Sequence, residues 1–143
     1  MSDPVALARR AAEAMWAEDE ASRGLGMELV EVAPGRATLR MPVRADMTNG
    51  HGICHGGFTF ALADSAFAFA CNSRNARTVA VACDITYLAP VREGDALLAE
   101  AVERHLAGRN GIYDVTVRVG DAVVAEFRGR SRAIGGALVE PAP

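Results

Sequence analysis

Residues 58–73 are apolar at nearly every position, so a helix formed there would have no face suited to water. The length of the run and its many alanines favour a helix, and a helix that is apolar all round is a buried one. The small side chains would let it lie close to a sheet, with Phe58, Leu62 and Phe69 filling the gaps. One charged residue, Asp64, stands in the middle of this predicted helix.

Alternation of apolar and polar residues predicts strands at 37–43 and 112–119, and the apolar run at 79–88 predicts a buried strand. Residues 97–105 fit a helix as well as a strand, but turn sequences such as Gly120-Asp121 indicate a run of hairpins, which favours a strand. Two strands are predicted before the helix, at 27–32 and 37–43, and four after it, at 79–88, 97–105, 112–119 and 123–133.

The chain is expected to form one domain, residues 1–143, of the α+β class. Residues 4–21 predict an N-terminal helix with Pro4 at its first position and Asp3 or Ser2 as its cap, so that residues 1–24 form a helix and linker. Residues 46–57 resemble a loop, and residues 137–143 are expected to be a loose tail. A sheet wrapped around one central helix is the economical packing for two strands, a helix and four strands.

Composition excludes several classes of function. A net charge of -3 argues against general nucleic-acid binding, and the chain contains no Lys, which removes Schiff-base chemistry and the P-loop Lys. Three cysteines without CxxC spacing favour a reduced, cytoplasmic setting. The N-terminal sequence does not resemble a signal peptide, and no run of about 18 uncharged apolar residues predicts a membrane span.

Asp64 is the first candidate for chemistry, because a carboxylate inside an apolar helix is costly unless it is satisfied. Phe60 and Phe67, four residues before it and three after it, would flank it on one helix face. Apolar neighbours should raise its pKa towards that of a useful base. A structural carboxylate bonded to a backbone N–H, or an interface residue, explains the same pattern.

The loop before the helix supplies a second candidate. Free N–H groups at a helix start can hold an oxyanion, and no side chain blocks Gly56 or Gly57 in the sequence His55-Gly56-Gly57. Asn49 could orient water or a carbonyl group. Taken alone, the glycines fit an ordinary turn, and Asn49-Gly50 is a common turn dipeptide.

Other chemistry is less well supported. His51, Cys54 and His55 could form a metal site, but they crowd a short loop and no distant ligand pair completes the set. A Cys54 nucleophile lacks a third orienting group. Ser65 lacks a GxSxG elbow, so it is expected to be a helix-packing residue.

Arginines mark a possible anion-binding surface. Arg128, Arg130 and Arg132 alternate along the last strand and therefore share one face, while Arg104 and Arg109 lie around the preceding hairpin. The forked guanidinium suits phosphate, as in coenzyme A, although a solvated sheet face explains each Arg by itself.

These segments together resemble a known family. The run NGHGICHGGFTFALADSAFAFACNS, residues 49–73, is similar to the phenylacetic-acid-degradation family of hotdog-fold acyl-coenzyme A thioesterases. The segments ITYLAP, GRNGIYD and FRGRSRAIGG extend the resemblance over residues 25–136. It implies a hotdog fold, an antiparallel sheet around a long central helix, with the N-terminal helix as an addition.

The resemblance also implies roles for individual residues. Asp64 would be the general base or the nucleophile, and we favour the base. Gly56 would polarise the thioester carbonyl through its N–H, Asn49 would place water or substrate, and His55 would support the loop. Some relatives carry a Ser or Thr on the strand after the helix, where this chain has Val81-Ala82-Cys83. The substrate-binding residues are expected to be Gly57, Phe58, Arg109, Arg130 and Arg132.

The expected function is hydrolysis of phenylacetyl-coenzyme A or a ring-hydroxylated form, in phenylacetate degradation. No cofactor or metal is expected, and the resemblance implies a homodimer that pairs into a homotetramer. Geometry favours a site shared by Gly56 of one chain and Asp64 of another, because eight helical residues rise about 12 Å. A hotdog hydratase or dehydratase, which would use His51 or His55, and a non-catalytic acyl-coenzyme A sensor remain alternatives.

Overall fold

The computed structural model describes residues 3–140 and contains three α-helices, one short 3-10 helix (Ala45–Met47) and six strands within that range. The helices are α1 (Pro4–Glu18), α2 (Glu20–Gly24) and α3 (Gly56–Cys71); the strands are β1 (Glu28–Ala33), β2 (Arg36–Pro42), β3 (Thr78–Tyr87), β4 (Ala96–Ala107), β5 (Asn110–Val119) and β6 (Ala122–Ala133). The predicted order of two strands, a helix and four strands is confirmed, and residues 97–105 belong to a strand.

The six strands form a single antiparallel sheet in the order β1-β2-β4-β5-β6-β3. Helix α3 contacts all six strands, so the sheet wraps around it as predicted. Strand β3 pairs only with β6, which leaves its other edge without a strand partner in residues 3–140. That free edge bears on the candidate active site.

Helix α3 lies close to the sheet because small residues face it. Ala63, Ala66 and Ala70 are buried, and the ring of Phe67 rests on Gly129 of β6. A Cβ atom at Gly129 would lie 2.7 Å from that ring, so the absence of a side chain sets how closely helix and strand approach. Within residues 3–140, no helix combines the length and apolar character needed to cross a bilayer.

The N-terminal helix differs from its prediction. Asp3 caps it as expected, accepting from the N–H of Val5 at 3.0 Å, but the helix ends at Glu18 and does not continue to residue 21. Asp19 breaks it by capping the next helix: its carboxylate accepts from the N–H and the hydroxyl of Ser22. Residues 20–24, predicted as helix end and linker, are therefore a separate helix, α2.

The start of α3 is also corrected. The sequence placed Gly56 and Gly57 in a loop, with the helix beginning at Phe58, whereas they form the first two positions of α3. The physical reason is His55, whose Nδ1 accepts from the N–H of Gly57 at 2.9 Å and caps the helix two residues early. At the other end α3 stops at Cys71, two residues short of the predicted Ser73.

The prediction of a loose tail from residue 137 is wrong for its first part. The side-chain oxygen of Asn75 accepts from the N–H groups of Leu138 and Val139, and its amide donates back to the carbonyl of Val139. The guanidinium of Arg10 donates to the carbonyl of Glu140 at 2.7 Å. Residues 141–143, the rest of the predicted tail, lie outside the described residues.

Candidate active site

The loop before α3 is closed on itself and anchored to the chain after β3. The N–H of Asn49 donates to the carbonyl of Ile53, and the N–H of His55 donates to Met47 at 2.7 Å. The N–H of Cys54 donates to the carbonyl of Val91, also at 2.7 Å. These bonds fix the position from which His55 caps the helix.

The first turn of α3 leaves one backbone donor free. The N–H of Gly57 is bound by the imidazole of His55, and the N–H of Phe58 donates to the carbonyl of His55 at 3.0 Å. The N–H of Gly56 donates to no acceptor among residues 3–140. A single free N–H at the positive end of a long helix is suited to a carbonyl oxygen that gains negative charge.

Tyr87, near the end of β3, lies directly over Gly56. Its hydroxyl donates to the carbonyl oxygen of Gly56 at 2.8 Å. A Cβ atom at Gly56 would lie 2.8 Å from both Cζ and Oη of Tyr87, so a side chain at this position would require the ring or the helix start to move. The helix start and the end of β3 therefore form one unit.

A cavity of about 480 Å³ opens beside this unit. Most of its walls are apolar, and its polar groups include Asn49, Thr59 and the backbone of Gly56. Such a cavity suits an apolar acyl group with one polar end. Its lining is formed by Asn49, Ile53, Cys54, Gly56, Thr59, Tyr87, Leu88, Ala89, Pro90, Val91 and Val124.

Asn49 organises the loop and also lines the cavity. Its Oδ1 accepts from the N–H groups of His51 at 2.9 Å and Ile53 at 3.4 Å, which organises the loop. Its amide NH₂ donates to no acceptor within residues 3–140, and the residue lines the cavity with Gly56. The amide is therefore available to a substrate or water, and its predicted catalytic role stays a prediction.

Asp64 is half-buried on α3 and meets a thiol. Cys83 of β3 donates from Sγ to Oδ1 of Asp64 at 3.8 Å, a long contact. Burial raises the pKa of Asp64 above its ordinary value, as the sequence predicted, and the bond from Cys83 partly offsets this. A carboxylate with a raised pKa is a better proton acceptor near neutral pH than an ordinary Asp.

Gly56 and Asp64 do not meet within one chain. Eight helical residues separate them by about 12 Å along the axis. Strand β3 gives a similar separation. Tyr87 contacts Gly56 and Cys83 contacts Asp64. The four strand residues from Cys83 to Tyr87 span about 13 Å. A carbonyl held by the N–H and attacked by the carboxylate needs roughly 6–7 Å between the groups, and somewhat more through a water.

The other candidates for chemistry are structural here. Cys54 is buried and its pKa is raised by that burial, which disfavours the thiolate needed for a nucleophile. Ser65 Oγ lies 2.8 Å from Ser22 Oγ and joins α3 to α2, consistent with a packing role. Within residues 3–140 no three His, Cys, Asp or Glu side chains are grouped to hold a metal ion.

Phe58, Phe60 and Phe67 do not form an aromatic wall of the cavity. Phe67 is fully buried against Tyr113 and Phe127, and Phe60 packs edge-on against Phe127 with ring centres 5.3 Å apart. Phe58 stands edge-on to His55 at 6.1 Å. None of the three phenylalanines lines the cavity, so they do not favour an aromatic acyl group. The aromatic ring beside Gly56 is that of Tyr87.

The arginines share the exposed face of β6 as predicted, but they are not equivalent. Arg128 and Arg104 both bind Asp114, at 2.7 and 2.9 Å. Arg130 lies 3.8 Å from Asp84 in a long, exposed pair. Arg132 and Arg109 form no ion pair among the described residues, and both lie where the β4–β5 hairpin meets the end of β6.

Two residues at the site were not identified from the sequence. Tyr87 belongs to the ITYLAP segment, and Cys83 to the Val81-Ala82-Cys83 segment that lacks the Ser or Thr of some relatives. Alternation along a strand predicts that residues 83 and 87 share a face. The sequence could not show that this face meets both Gly56 and Asp64, because that depends on the register of β3 against α3.

The sequence of this chain is similar to that of known thioesterases over most of its length. A model of the thioesterase superfamily matches residues 51–126. The chain is 44% identical over 128 residues to the acyl-coenzyme A thioesterase PaaI of Escherichia coli (strain K12), covering 89% of this chain and 91% of that protein.

Solved structures of PaaI proteins are similar to the fold of this chain. The E. coli PaaI protein from the phenylacetic acid degradation operon matches with a TM-score of 0.92 and 42% identity, covering 94% of this chain and 99% of that one. A mutant of the phenylacetic acid degradation protein PaaI from Thermus thermophilus matches with a TM-score of 0.79 and 40% identity, covering 81% of this chain and 100% of that one.

The matched segment includes both Gly56 and Asp64 and ends within β6. The sheet wrapped around α3 is the hotdog fold of the PaaI structures. The chain therefore belongs to the thioesterase superfamily and is a thioester hydrolase of the PaaI type.

Proposed function

We propose that this protein hydrolyses phenylacetyl-coenzyme A, or a ring-hydroxylated form, to the free acid and coenzyme A. The observation that carries the thioester chemistry is the N–H of Gly56, which has no acceptor among residues 3–140 and belongs to a residue that lines an apolar cavity at a capped helix start. The phenylacetyl group is inferred from similarity to PaaI of the phenylacetic acid degradation operon. The cavity of about 480 Å³ is large enough for an aromatic acyl group.

In the proposed reaction the thioester carbonyl oxygen accepts a hydrogen bond from the N–H of Gly56. Asp64 takes a proton from a water molecule, and the oxygen of that water attacks the carbonyl carbon. Collapse of the tetrahedral intermediate breaks the C–S bond, and the proton held by Asp64 passes to the sulfur, which releases coenzyme A as its thiol and restores the carboxylate. Proton transfer of this kind contributes about 10²–10⁴ in rate and one oxyanion donor about 10²–10³. The reaction requires no cofactor.

A dimer supports this chemistry better than one chain. The free edge of β3 is ten residues long, and Val79 and Val81 on it are exposed by 43% and 59%. Such an edge is a template for antiparallel pairing with a second copy. Ile85 lies midway between Cys83 and Tyr87, so a two-fold axis beside Ile85 would set Tyr87 of one protomer opposite the partner's Cys83.

That pairing would assemble the site from two chains. Side chains directly opposite each other in an antiparallel pair lie on the same face of the sheet. Gly56, beneath Tyr87, would then come next to the partner's Asp64, beside its Cys83. Two such sites would form per dimer, one on each side of the axis. The further pairing of dimers into a tetramer is inferred from the resemblance alone.

The same register would bring arginines towards the cavity. Arg130 and Arg132 lie beside residues 82 and 79 of β3, at the end of the strand far from Tyr87. Across the proposed axis that end lies near the partner's cavity. Arg132 and Arg109, which form no ion pair within residues 3–140, would be free to bind the phosphates of coenzyme A.

The proposal is tested by following free thiol over a panel of acyl-coenzyme A esters. Phenylacetyl and hydroxyphenylacetyl esters should have the highest kcat/KM; a long-chain fatty acyl ester in first place would refute the substrate assignment. A hydratase or an acyl-coenzyme A sensor would release no thiol. Assignment to the cytoplasm and to phenylacetate degradation would be tested by fractionating cells and by growing a deletion strain on phenylacetate.

The variant that tests the carboxylate is Asp64→Asn, which keeps the size and hydrogen bonding of the side chain but cannot accept the proton. It should lose most of kcat; a kcat within about threefold of wild type would exclude Asp64 as base or nucleophile.

Because burial raises the pKa of Asp64, the ionised side chain destabilises the fold as pH rises through that pKa. Asp64→Asn should therefore melt at a higher temperature than wild type at pH 7, and the difference should shrink below about pH 4.

A further inference from the structure

The peptide unit that joins Gly56 to Gly57 is held at both ends by side chains. Its carbonyl oxygen accepts from the hydroxyl of Tyr87 at 2.8 Å, and its N–H donates to Nδ1 of His55 at 2.9 Å. One side chain comes from the loop and the other from β3. The two bonds hold the plane of this peptide. The N–H of Gly56 belongs to the preceding His55–Gly56 peptide, whose carbonyl oxygen accepts from the N–H of Phe58 at 3.0 Å, so both peptide planes that meet at the Cα of Gly56 are held.

The first turn of α3 has a physical need for such a restraint. Two consecutive glycines have more backbone freedom than any other pair, and helix ends fray. An oxyanion donor contributes to rate only when it is aimed in advance at the oxygen, within about 2.7–3.1 Å. Without a restraint on Gly56, its N–H would sample other directions and the benefit would fall.

We propose that Tyr87 is a positioning residue for thioester hydrolysis: with His55 it clamps the Gly56–Gly57 peptide so that the N–H of Gly56 stays directed at the substrate carbonyl. The inference rests on the proposed use of Gly56 as the oxyanion donor. The tyrosine hydroxyl acts through the backbone and does not itself touch the reacting atoms. Burial raises the pKa of Tyr87, so the hydroxyl remains a hydrogen-bond donor at neutral and mildly alkaline pH.

The ring of Tyr87 contributes separately, by covering the helix start. It stands against the Cα of Gly56, where an added Cβ would lie 2.8 Å from Cζ. Tyr87→Phe removes the hydroxyl and keeps this cover, so it isolates the clamp from the wall of the cavity. This variant is therefore more informative than Tyr87→Ala.

The chain offers a matched control in Tyr113, its only other tyrosine. The hydroxyl of Tyr113 donates to Glu103 at 3.0 Å in the core, on a different strand from β3. Tyr113→Phe removes a hydrogen bond of similar length away from the cavity. It should lower the melting temperature but leave kcat and KM close to wild type.

Steady-state kinetics give the first test. Loss of one neutral hydrogen bond corresponds to about a 2- to 10-fold effect, so Tyr87→Phe should lower kcat by about that factor at unchanged KM. A kcat equal to wild type would overturn the proposal. A higher KM with unchanged kcat would also overturn it, because it would make the hydroxyl a simple substrate contact.

Binding of two non-reacting analogues gives the second test. A phenylacetyl-coenzyme A analogue with CH₂ in place of sulfur keeps the carbonyl oxygen, and a phenethyl thioether of coenzyme A lacks it. Tyr87→Phe should leave binding of both close to wild type, because neither carries the negative charge that develops on the carbonyl oxygen in the transition state. Weaker binding of the first alone would make the effect one on the ground state and would refute the clamp. Equal weakening of both would show that Tyr87 only shapes the cavity, and would refute the clamp. If wild type releases no thiol from any ester, the proposed function fails instead, independently of Tyr87.

Discussion

Refolding two inactive variants together should restore activity if the site is shared between chains. Asp64→Asn removes the carboxylate, and Gly56→Ala disrupts the opposite half of the site. The added methyl group would lie 2.8 Å from Tyr87, so either the ring or the helix start must move. Each variant alone damages both sites of its own dimer, because every site requires one copy of each group.

The expected recovery follows from counting sites. If chains pair at random in an equal mixture, about half of the dimers contain one chain of each kind. In a mixed dimer one site receives both intact groups and the other receives both damaged ones. Activity should therefore approach about one quarter of wild type per chain.

The assay is thiol release after denaturing and refolding the variants together, with mixed dimers verified by native mass spectrometry on differently tagged chains. A mixture of Asp64→Asn with Asp64→Ala is the control, and it should stay inactive because no site regains a carboxylate. Circular dichroism must show that each variant folds. Verified mixed dimers without activity would refute the shared site and require both groups to act within one chain.

Two further variants test the surroundings of the site. Cys83→Ala removes a hydrogen bond that favours the charged form of Asp64, so the pKa of Asp64 should rise and the acidic limb of the kcat/KM profile should move to higher pH. Cys83→Ser keeps a donor and should keep the wild-type limb. An unmoved limb in Cys83→Ala would show that the contact has no electrostatic effect. Gly129→Ala places a methyl group 2.7 Å from the ring of Phe67, and such overpacking should lower the free energy of unfolding by about 1–3 kcal/mol, measured in urea; wild-type stability would mean that α3 can lift from the sheet without cost.

Much of the fold could be predicted because its signals are local. The apolar run around Asp64 identified α3, and alternation identified strands such as β2 and β5, since burial on one face imposes a period of two. The errors occurred at helix ends and in the C-terminal tail. Asp19 and His55 each cap a helix, and a cap depends on the direction of one side chain, which hydrophobic periodicity does not record.

The candidate site was predictable in part for the same reason. Gly56 and Asp64 could be named because they are unusual within one element, a glycine pair at a helix start and a charge within an apolar helix. Tyr87 and Cys83 could not, because an aromatic residue or a cysteine in a strand is ordinary core composition. Their importance arises from tertiary contact with α3, which no local pattern encodes.

The matched lengths of α3 and β3 limit how this chain could change length. Removing one residue between Gly56 and Asp64 would turn Asp64 by about 100° around the helix axis, away from β3. Removing one residue between Cys83 and Tyr87 would send one of them to the opposite face of the sheet. Descendants that keep this chemistry should therefore accept substitutions in both stretches but no insertions or deletions, and changes of length should accumulate in turns such as residues 120–121.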